Sequence, residues 1–433
     1  MKIDTGSTAW MLASTALVLL MTPGLAFFYG GMTRAKSTLN MMMMSWVAII
    51  TVTIAWVLYG DSLSFAKGNG FVGGFAYLGE HGLVGTDTRV NGIPDLLFSV
   101  FQLTFAVITV ALISGAIADR TKFGAWALFT VLWATLVYFP VAPWVWGGGW
   151  LSSLGIEAFA GGTVVHVNAG SAGLALALVL GKRRGWGKDP MRPHNVPLTL
   201  LGAGLLWFGW FGFNAGSELA ADGTAALAFM NTQIATAAAA GGWLLVERYR
   251  DGKPTTIGVA SGAVAGLVAI TPACAFIAPW AAILLGLAAG AICCCAIGLK
   301  HKLGFDDSLD VVGVHLVGGA FGAISLGFLA AYPLISGQRK GLFYGGGIHQ
   351  LGVQVLGPVA VGLYSFAVAW ILAKIIDKTM GFRIPEEDEV TGIDLTEHAE
   401  TAYDYGGVPT AHGGGATVTG ADKADQEVPA GTH

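Results

Sequence analysis

The chain has 433 residues, of which 54% are hydrophobic and only 12% are charged, with a formal net charge of −4 at pH 7. Soluble domains carry about 25% charged residues, so this composition excludes an ordinary soluble protein and indicates an all-α, polytopic membrane protein. The sequence has no basic patch of the kind that binds nucleic acid, and we therefore expect no nucleic-acid partner. The 64 glycines predict helices that pack closely through small residues.

Apolar stretches of about 20 residues predict eleven transmembrane helices. They lie at 8–30, 40–60, 94–116, 122–142, 162–181, 196–215, 224–246, 257–273, 280–299, 311–331 and 351–377. One lysine and no evident small-residue cleavage site precede the first stretch, so we predict a retained span rather than a signal peptide.

Lysine and arginine concentrate in the loops that follow the first, third, fifth, seventh and ninth stretches, and the richest of these loops covers 182–192. The positive-inside rule therefore places the N-terminus outside the cell and the C-terminus in the cytoplasm, for a multi-pass protein of the inner (plasma) membrane. We assign residues 1–377 to a transmembrane transporter domain and 378–405 to an acidic cytoplasmic regulatory tail. The Gly/Thr/Ala-rich segment 406–433 is predicted to be a disordered C-terminal extension.

Two of the apolar stretches contain a histidine within the same pattern, His-x3-Gly-x2-Gly, at His166 and at His315. On a helix these offsets place the histidine and both glycines on one face. Because the histidines belong to the fifth and tenth stretches, they indicate an inverted repeat of five plus five helices, followed by one extra helix. An ionisable side chain at membrane depth usually faces a polar pathway, and the interface between such repeats is where transporters place their site.

Two imidazoles can hydrogen-bond to each other, one as donor and one as acceptor, and can line a narrow path for a small polar solute. Two histidines without a third ligand are too few for a zinc site. We interpret the four cysteines as small buried hydrophobic residues, so we predict no metal site. A haem held between the two histidines is the alternative that the pattern leaves open. Otherwise we expect no cofactor and no enzymatic activity.

Aromatic residues cluster near the ends of several spans, in FQLTFAV, PWVWGGGW and GWFGFNAGS. They fit either an interfacial aromatic belt or a cation–π cage with a hydroxyl acceptor, which suits ammonium and methylammonium. The residues concerned are Phe105, Trp146, Trp210, Phe213 and Ser217.

Several segments resemble the signatures of the Amt/Mep/Rh superfamily of ammonium transporters, on its bacterial Amt side. The resemblance runs from the first span into the tail. It is carried by FYGGMTRAKS, FAGGTVVHVNAGSAGLALALVLGKR, PHNVPL, GWFGFNAGSE, ALAFMNTQIATAAAA, GAVAGLVAITPAC, DDSLDVVGVHLVGG and MGFRIPEEDEVTGIDLTEHAETAY. The resemblance implies a homotrimer with one narrow hydrophobic pore in each subunit, transporting ammonium/ammonia. It also implies that a PII-type regulatory protein binds the cytoplasmic face.

The resemblance also implies roles for individual residues. Phe105 and Phe213 would stack as a gate beneath an external ammonium site, while His166 and His315 would form the twin-histidine pair of the pore. The external site itself would consist of Phe105, Trp146, Phe213 and Ser217. Trp210 matches a pore-proximal tryptophan, and Asp310 matches an acidic residue near the cytoplasmic end of the tenth span. An ammonium sensor of the same fold, signalling through its tail, is the alternative function.

One position departs from the family pattern. Family members usually have an aspartate two residues before Ala-Gly-Gly in the fifth span, where this chain has Ala158, with an acid one residue earlier at Glu157. Neighbouring residues on a helix point roughly 100° apart, so Glu157 would need a shift of the backbone to replace the aspartate. We expect the Glu157 carboxylate to be exposed instead.

Overall fold

A computed structural model describes residues 2–85, 87–88, 90–331 and 339–403. Within these ranges the chain is helical, and it forms two isolated β-bridges but no strand. Nine helices of this described part are long and apolar enough to cross a membrane. They are α1 (Thr5–Met32), α2 (Ala35–Phe65), α3 (Asp95–Ile117), α4 (Phe123–Leu154), α5 (Gly162–Leu180), α6 (Val196–Gly216), α9 (Pro279–Leu303), α10 (Val312–Leu329) and α11 (Gly347–Met380).

Two further helices occupy the remaining predicted stretches: α7 (Gly223–Arg250) and the shorter, apolar α8 (Thr256–Ile270). Every predicted stretch therefore overlaps a helix, and most boundaries are shifted by a few residues. The largest extensions are those of α2 and α4, which run past their predicted ends to Phe65 and Leu154. The predicted C-terminal extension at 406–433 lies outside the described residues.

The ends of the helices meet at two faces. At the N-terminal face, the Asp4 N–H donates to the Gly92 carbonyl (2.9 Å), and the Ala221 N–H donates to the Ser7 hydroxyl. At the opposite end, called the tail face, Arg34 and Arg183 both contact the Asp119 carboxylate at 3.1 Å. The candidate site extends from the N-terminal face towards the tail face.

Helices α1 and α6 pack along much of their length, and glycines make the close approach possible. A Cβ added to Gly202 would lie 2.2 Å from the Phe28 nitrogen, and one added to Gly209 would lie 2.6 Å from the Leu17 carbonyl oxygen. Helices in membranes associate through such small residues, because van der Waals packing replaces the hydrophobic driving force that is missing in lipid.

Helices α5 and α10 both open with a π-helical turn, over Gly162–Val167 in α5 and Val312–Leu316 in α10. Each turn contains one of the two histidines. A π turn accommodates one extra residue within a helix and occurs frequently at functional sites. Helices α5 and α10 thus share a backbone irregularity as well as a sequence pattern.

The glycines of the two histidine motifs pack reciprocally. A Cβ on Gly170, four residues after His166, would lie 2.5 Å from the Leu316 nitrogen. A Cβ on Gly319, four residues after His315, would lie 2.9 Å from the His166 Cβ and 3.2 Å from the Val167 nitrogen. Each glycine therefore meets the backbone immediately after the other histidine, and this contact brings the two histidines together.

The acidic tail folds back onto the tail face through two short helices, α12 (Glu386–Thr391) and α13 (Ile393–His398). The buried Glu389 carboxylate accepts hydrogen bonds from the Arg184 N–H (2.7 Å) and from the Arg383 guanidinium (2.9 Å). The Asp394 carboxylate accepts from the N–H groups of Leu39 (2.9 Å) and Asn40 (2.8 Å), in an early turn of α2. Asp394 thereby supplies acceptors to N–H groups that a helix start leaves without partners.

Replacing Asp394 with alanine is expected to release α13 from the start of α2. Losing a cap of this kind costs about 1 kcal/mol, so the Leu39 and Asn40 amides should exchange hydrogen for deuterium faster. Hydrogen–deuterium exchange followed by mass spectrometry measures this effect. Glu387→Ala, at an exposed position of α12, is the matched control and should leave the exchange of both amides unchanged. Unaltered exchange in Asp394→Ala would contradict the capping role.

Candidate functional site

A cavity of about 270 Å³ lies at the N-terminal face, and we call it the vestibule. Its wall includes Phe105 of α3, Trp146 at a non-helical break within α4, and Ser217 after α6. The complete lining comprises Phe65, Val90, Phe98, Gln102, Phe105, Trp146, Phe159, Ser217 and Leu219. The vestibule is therefore a largely aromatic chamber without a charged residue among those that line it.

The polar groups of Trp146 and Ser217 are oriented by the surrounding backbone. The Trp146 indole N–H donates to the Ala158 carbonyl at 3.0 Å, which fixes the ring against the loop before α5. The Ser217 hydroxyl donates to the Phe213 carbonyl at 2.8 Å, so its oxygen presents only lone pairs to a further partner. The vestibule can thus offer a hydroxyl acceptor and ring faces to a cation.

The rings of Phe105 and Phe213 stack face to face at a centroid distance of 4.1 Å and an interplanar angle of 22°. Phe105 also meets Trp146 edge to face at 6.0 Å. Both phenylalanines are buried. Because Phe105 lines the vestibule and Phe213 lines the space next to the histidines, the stack separates these two spaces.

The two histidines lie beyond the stack. The His166 ring stacks on Trp210 at 5.3 Å and lies 6.1 Å from the Phe213 ring. The Nδ1 atoms of His166 and His315 are 3.3 Å apart, although the residues are 149 positions apart in the chain. Such a contact requires one ring to donate a proton and the other to accept it, so the two Nδ1 atoms share a single proton.

The histidines border a void of about 10 Å³, which is roughly the space that one water molecule needs. Apart from the two imidazoles and the Trp210 indole, its walls are hydrocarbon: Met21, Leu25, Phe28, Ile108, Leu112, Val165, Leu206, Phe213 and Val264. The buried Nε2 atom of His166 has no hydrogen-bond partner among the described residues. The void can therefore admit one small solute that hydrogen-bonds to an imidazole.

Trp210 and Asp310 occupy different surroundings. The Trp210 indole N–H donates to the Thr271 hydroxyl at 2.8 Å, which holds the ring beside His166. Asp310 lies at the tail face just before α10, with a left-handed φ of 64°, and pairs with Lys300 at 2.6 Å. The structure therefore brings seven of the eight predicted residues to the vestibule, the stack and the void, while Asp310 lines neither cavity.

Three residues near this path were missed in the sequence. Gln102 lines the vestibule, and Thr271 and Asn214 continue the hydrogen bonds that begin at Trp210. The spacing of Gln102, three positions before Phe105 on one helix, was the available signal, since such residues share a face. Thr271 follows α8 and carried no such signal, because its proximity to Trp210 depends on tertiary packing.

The expectation that the Glu157 carboxylate is exposed is wrong. The carboxylate does not reach the vestibule either. Glu157 is half-buried, and its carboxylate accepts a hydrogen bond from the Arg339 N–H. Its backbone pairs with the Gln354 side chain of α11, at 2.9 Å and 2.7 Å. Burial raises the pKa of the Glu157 carboxyl to about 7. Ala158 thus leaves the wall near Trp146 without an acid, and Glu157 does not line the vestibule.

An apolar helical bundle with an aromatic vestibule, a closed phenyl stack and a paired-histidine void defines a multi-pass membrane protein of the transporter class. Comparison with known sequences makes this specific, because residues 9–403 match the sequence profile of the Ammonium Transporter Family. The chain belongs to that family.

Similar proteins agree with this assignment. The ammonium transporter of Mycobacterium tuberculosis is 56% identical, over 93% of this chain and 91% of its own length. That of Bacillus subtilis is 49% identical, over 92% of this chain and 98% of its own. The crystal structure of Saccharomyces cerevisiae Mep2 superposes with a TM-score of 0.84 at 34% identity, covering 89% of both chains. A solved structure described as a sensor Amt protein gives the same TM-score at 28% identity, covering 91% of this chain and 98% of that one.

Proposed function

We propose that this protein transports ammonium across the membrane as ammonia, by removing a proton from the cation at the vestibule. The cation loses its water against the ring faces of Trp146 and Phe105 and against the Ser217 oxygen. Above the stack the cation gives its proton to water in the vestibule, and the neutral amine passes the Phe105–Phe213 rings. The amine then crosses the void beside His166 and His315 and takes up a proton from water at the tail face.

The observation that carries this proposal is the void itself. A space of about 10 Å³ with hydrocarbon walls cannot hold a cation together with its hydration shell. Transferring a bare charge into apolar surroundings is costly, whereas a small neutral amine loses only a few hydrogen bonds. The Nδ1 contact orients the two rings, and the His166 Nε2, which has no partner among the described residues, supplies a replacement partner for ammonia. K⁺ has no neutral form and is therefore excluded.

The proposal extends to the arrangement in the membrane. We place eleven helices across the bilayer as an inverted five-plus-five repeat with one extra helix, and the reciprocal glycines at Gly170 and Gly319 support this. The basic residues of the tail face support a cytoplasmic C-terminus and an N-terminus outside the cell, in the plasma membrane. Family membership supports a homotrimer whose cytoplasmic face binds a PII-type regulator.

Flux into liposomes tests the function. Purified protein reconstituted in liposomes should give an ammonium-dependent internal pH change or an inward current well above that of protein-free liposomes, and an equal K⁺ jump should give neither. Ammonium responses equal to those of protein-free liposomes would refute the proposal. The alternative of a sensor is not favoured, because the two relatives named above, at 56% and 49% identity, are described as ammonium transporters, whereas the sensor Amt protein is 28% identical.

Trp146→Leu is expected to weaken recognition of the cation at the vestibule. An aliphatic side chain has no negative ring face, and cation–π contacts contribute about 0.5–2 kcal/mol. The half-saturating ammonium concentration should therefore rise several-fold, together with the methylammonium concentration needed to compete. Trp370→Leu, a tryptophan of α11 outside both cavities, is the control. Methylammonium competition that is unchanged in Trp146→Leu would exclude a role for this ring.

Glu157→Gln is expected to leave ammonium transport nearly unchanged, because Glu157 does not line the vestibule. Ala158→Asp should instead increase transport at low ammonium, since it places a carboxylate near the cation site, beside the Trp146 ring. Both variants are compared with the unmodified chain in the liposome assay. Complete loss of transport in Glu157→Gln, with the assembled protein intact, would show that Glu157 performs the aspartate's task after all.

A further inference from the structure

The vestibule contains a polar side chain that the proposed pathway does not yet use. Gln102 belongs to α3 and is only 9% exposed. It lies three positions before Phe105 and four after Phe98, and all three side chains line the vestibule. One face of α3 therefore presents an amide between two aromatic rings.

The Gln102 amide forms no hydrogen bond with the part of the chain that the structure describes. The other polar groups of the lining are already engaged, since the Trp146 N–H donates to Ala158 and the Ser217 O–H donates to Phe213. Buried amides in native proteins are almost always hydrogen-bonded, to protein or to an occupant of the adjacent space. The vestibule lies next to this amide, so a molecule bound there can supply its hydrogen-bond partner.

The chemistry of the lining defines that molecule. The vestibule has aromatic faces, the Ser217 lone pairs and the Gln102 carbonyl, but no charged side chain among its lining residues. Ring faces attract a cation without fixing its orientation, whereas an amide carbonyl accepts an N–H along a defined direction. A small cation with several N–H groups satisfies both kinds of contact. A fully hydrated metal cation satisfies neither directly.

We infer that the Gln102 side-chain carbonyl accepts an N–H of the incoming ammonium and is a specificity-determining residue of the vestibule. The inference rests on the proposed function, since it concerns the same site. The chain has Ala158 where the family usually has aspartate. The Gln102 carbonyl would give the vestibule an oxygen acceptor on its α3 wall. Gln102 and Ser217 then supply two oxygen acceptors, and Trp146 and Phe105 supply the ring faces.

Ammonium-dependent flux in liposomes tests this inference in Gln102→Leu and in Gln102→Met, whose side chain has nearly the same length and no amide. Both variants should raise the half-saturating ammonium concentration about tenfold or more, because hydrogen bonds to charged groups are stronger than those between neutral groups. The maximal rate should stay within about twofold, since the stack and the void are untouched. Gln102→Glu, which keeps the oxygen and adds a charge, should give a half-saturating concentration at or below that of the unmodified chain.

Thr104→Val is the matched control on the same helix. Thr104 is buried, donates to the Phe101 carbonyl at 2.6 Å and does not line the vestibule, so its half-saturating concentration should not change. An unchanged half-saturating concentration in Gln102→Met, or a lowered maximal rate alone, would overturn the inference while the unmodified chain still transports ammonium. Absence of transport in the unmodified chain would refute the proposed function instead.

Discussion

Replacing His166 and His315 together with alanine is expected to abolish ammonium transport. The two imidazoles share a proton across 3.3 Å and are, with the Trp210 indole, the polar groups that border the void. Without them ammonia would enter a chamber that offers it almost no hydrogen-bond partner, which costs about 1–3 kcal/mol for each lost bond. Uptake into liposomes measures the effect, and each single alanine variant should show a partial or altered rate.

The exposed His349→Ala variant controls for the loss of an imidazole elsewhere. His166→Asp extends the prediction, because a negative charge in the void should admit K⁺, which we expect the unmodified protein to exclude. Size-exclusion chromatography establishes that each variant remains assembled. Ammonium flux at the unmodified rate in the double alanine variant would eliminate the twin-histidine mechanism.

Gly170→Ala is expected to have the second-largest effect, although it adds only one methyl group. That group would lie 2.5 Å from the Leu316 nitrogen, and a backbone atom cannot rotate away as a flexible side chain can. Overpacking typically costs about 1–3 kcal/mol, and relief requires α5 and α10 to move apart. The same movement would lengthen the contact between the histidines, so both thermal stability and transport should fall.

Gly204→Ala provides the matched control, because an added Cβ on this α6 glycine meets nothing within 4 Å. Alanine is the better helix former, so this variant should be neutral or slightly stabilised. Thermal unfolding in detergent and liposome flux are measured for both variants. Equal stability and flux in Gly170→Ala and the unmodified chain would show that the reciprocal packing does not hold the histidine pair.

The sequence predicted the paired histidines because two periodic signals coincided: an apolar span and a repeated His-x3-Gly-x2-Gly pattern. It could not predict the π turns around His166 and His315, since backbone hydrogen-bond register leaves no mark in an apolar pattern. The aromatic pattern by itself left Trp210 among a group of possible interfacial residues, and only the family resemblance placed it near the pore, where the ring stacks on His166. That position depends on Thr271, which lies 61 residues further along the chain.

The contacts of the tail could be predicted from the sequence even less than the position of Trp210. Its acidic composition predicted a polar cytoplasmic segment, but not that Asp394 binds the start of α2, about 355 positions away. Glu157 was misjudged for a related reason, because its surroundings come from Arg339 and Gln354 near the start of α11 and not from the neighbouring residues. Local periodicity reports which face of a helix is apolar, whereas these contacts depend on which loops meet.

The small size of the void has a consequence for the movement of protons. A space for about one water molecule, closed above by the Phe105–Phe213 stack, cannot hold a continuous column of water. Protons move readily along such columns, so we expect this void to conduct few protons through bulk water.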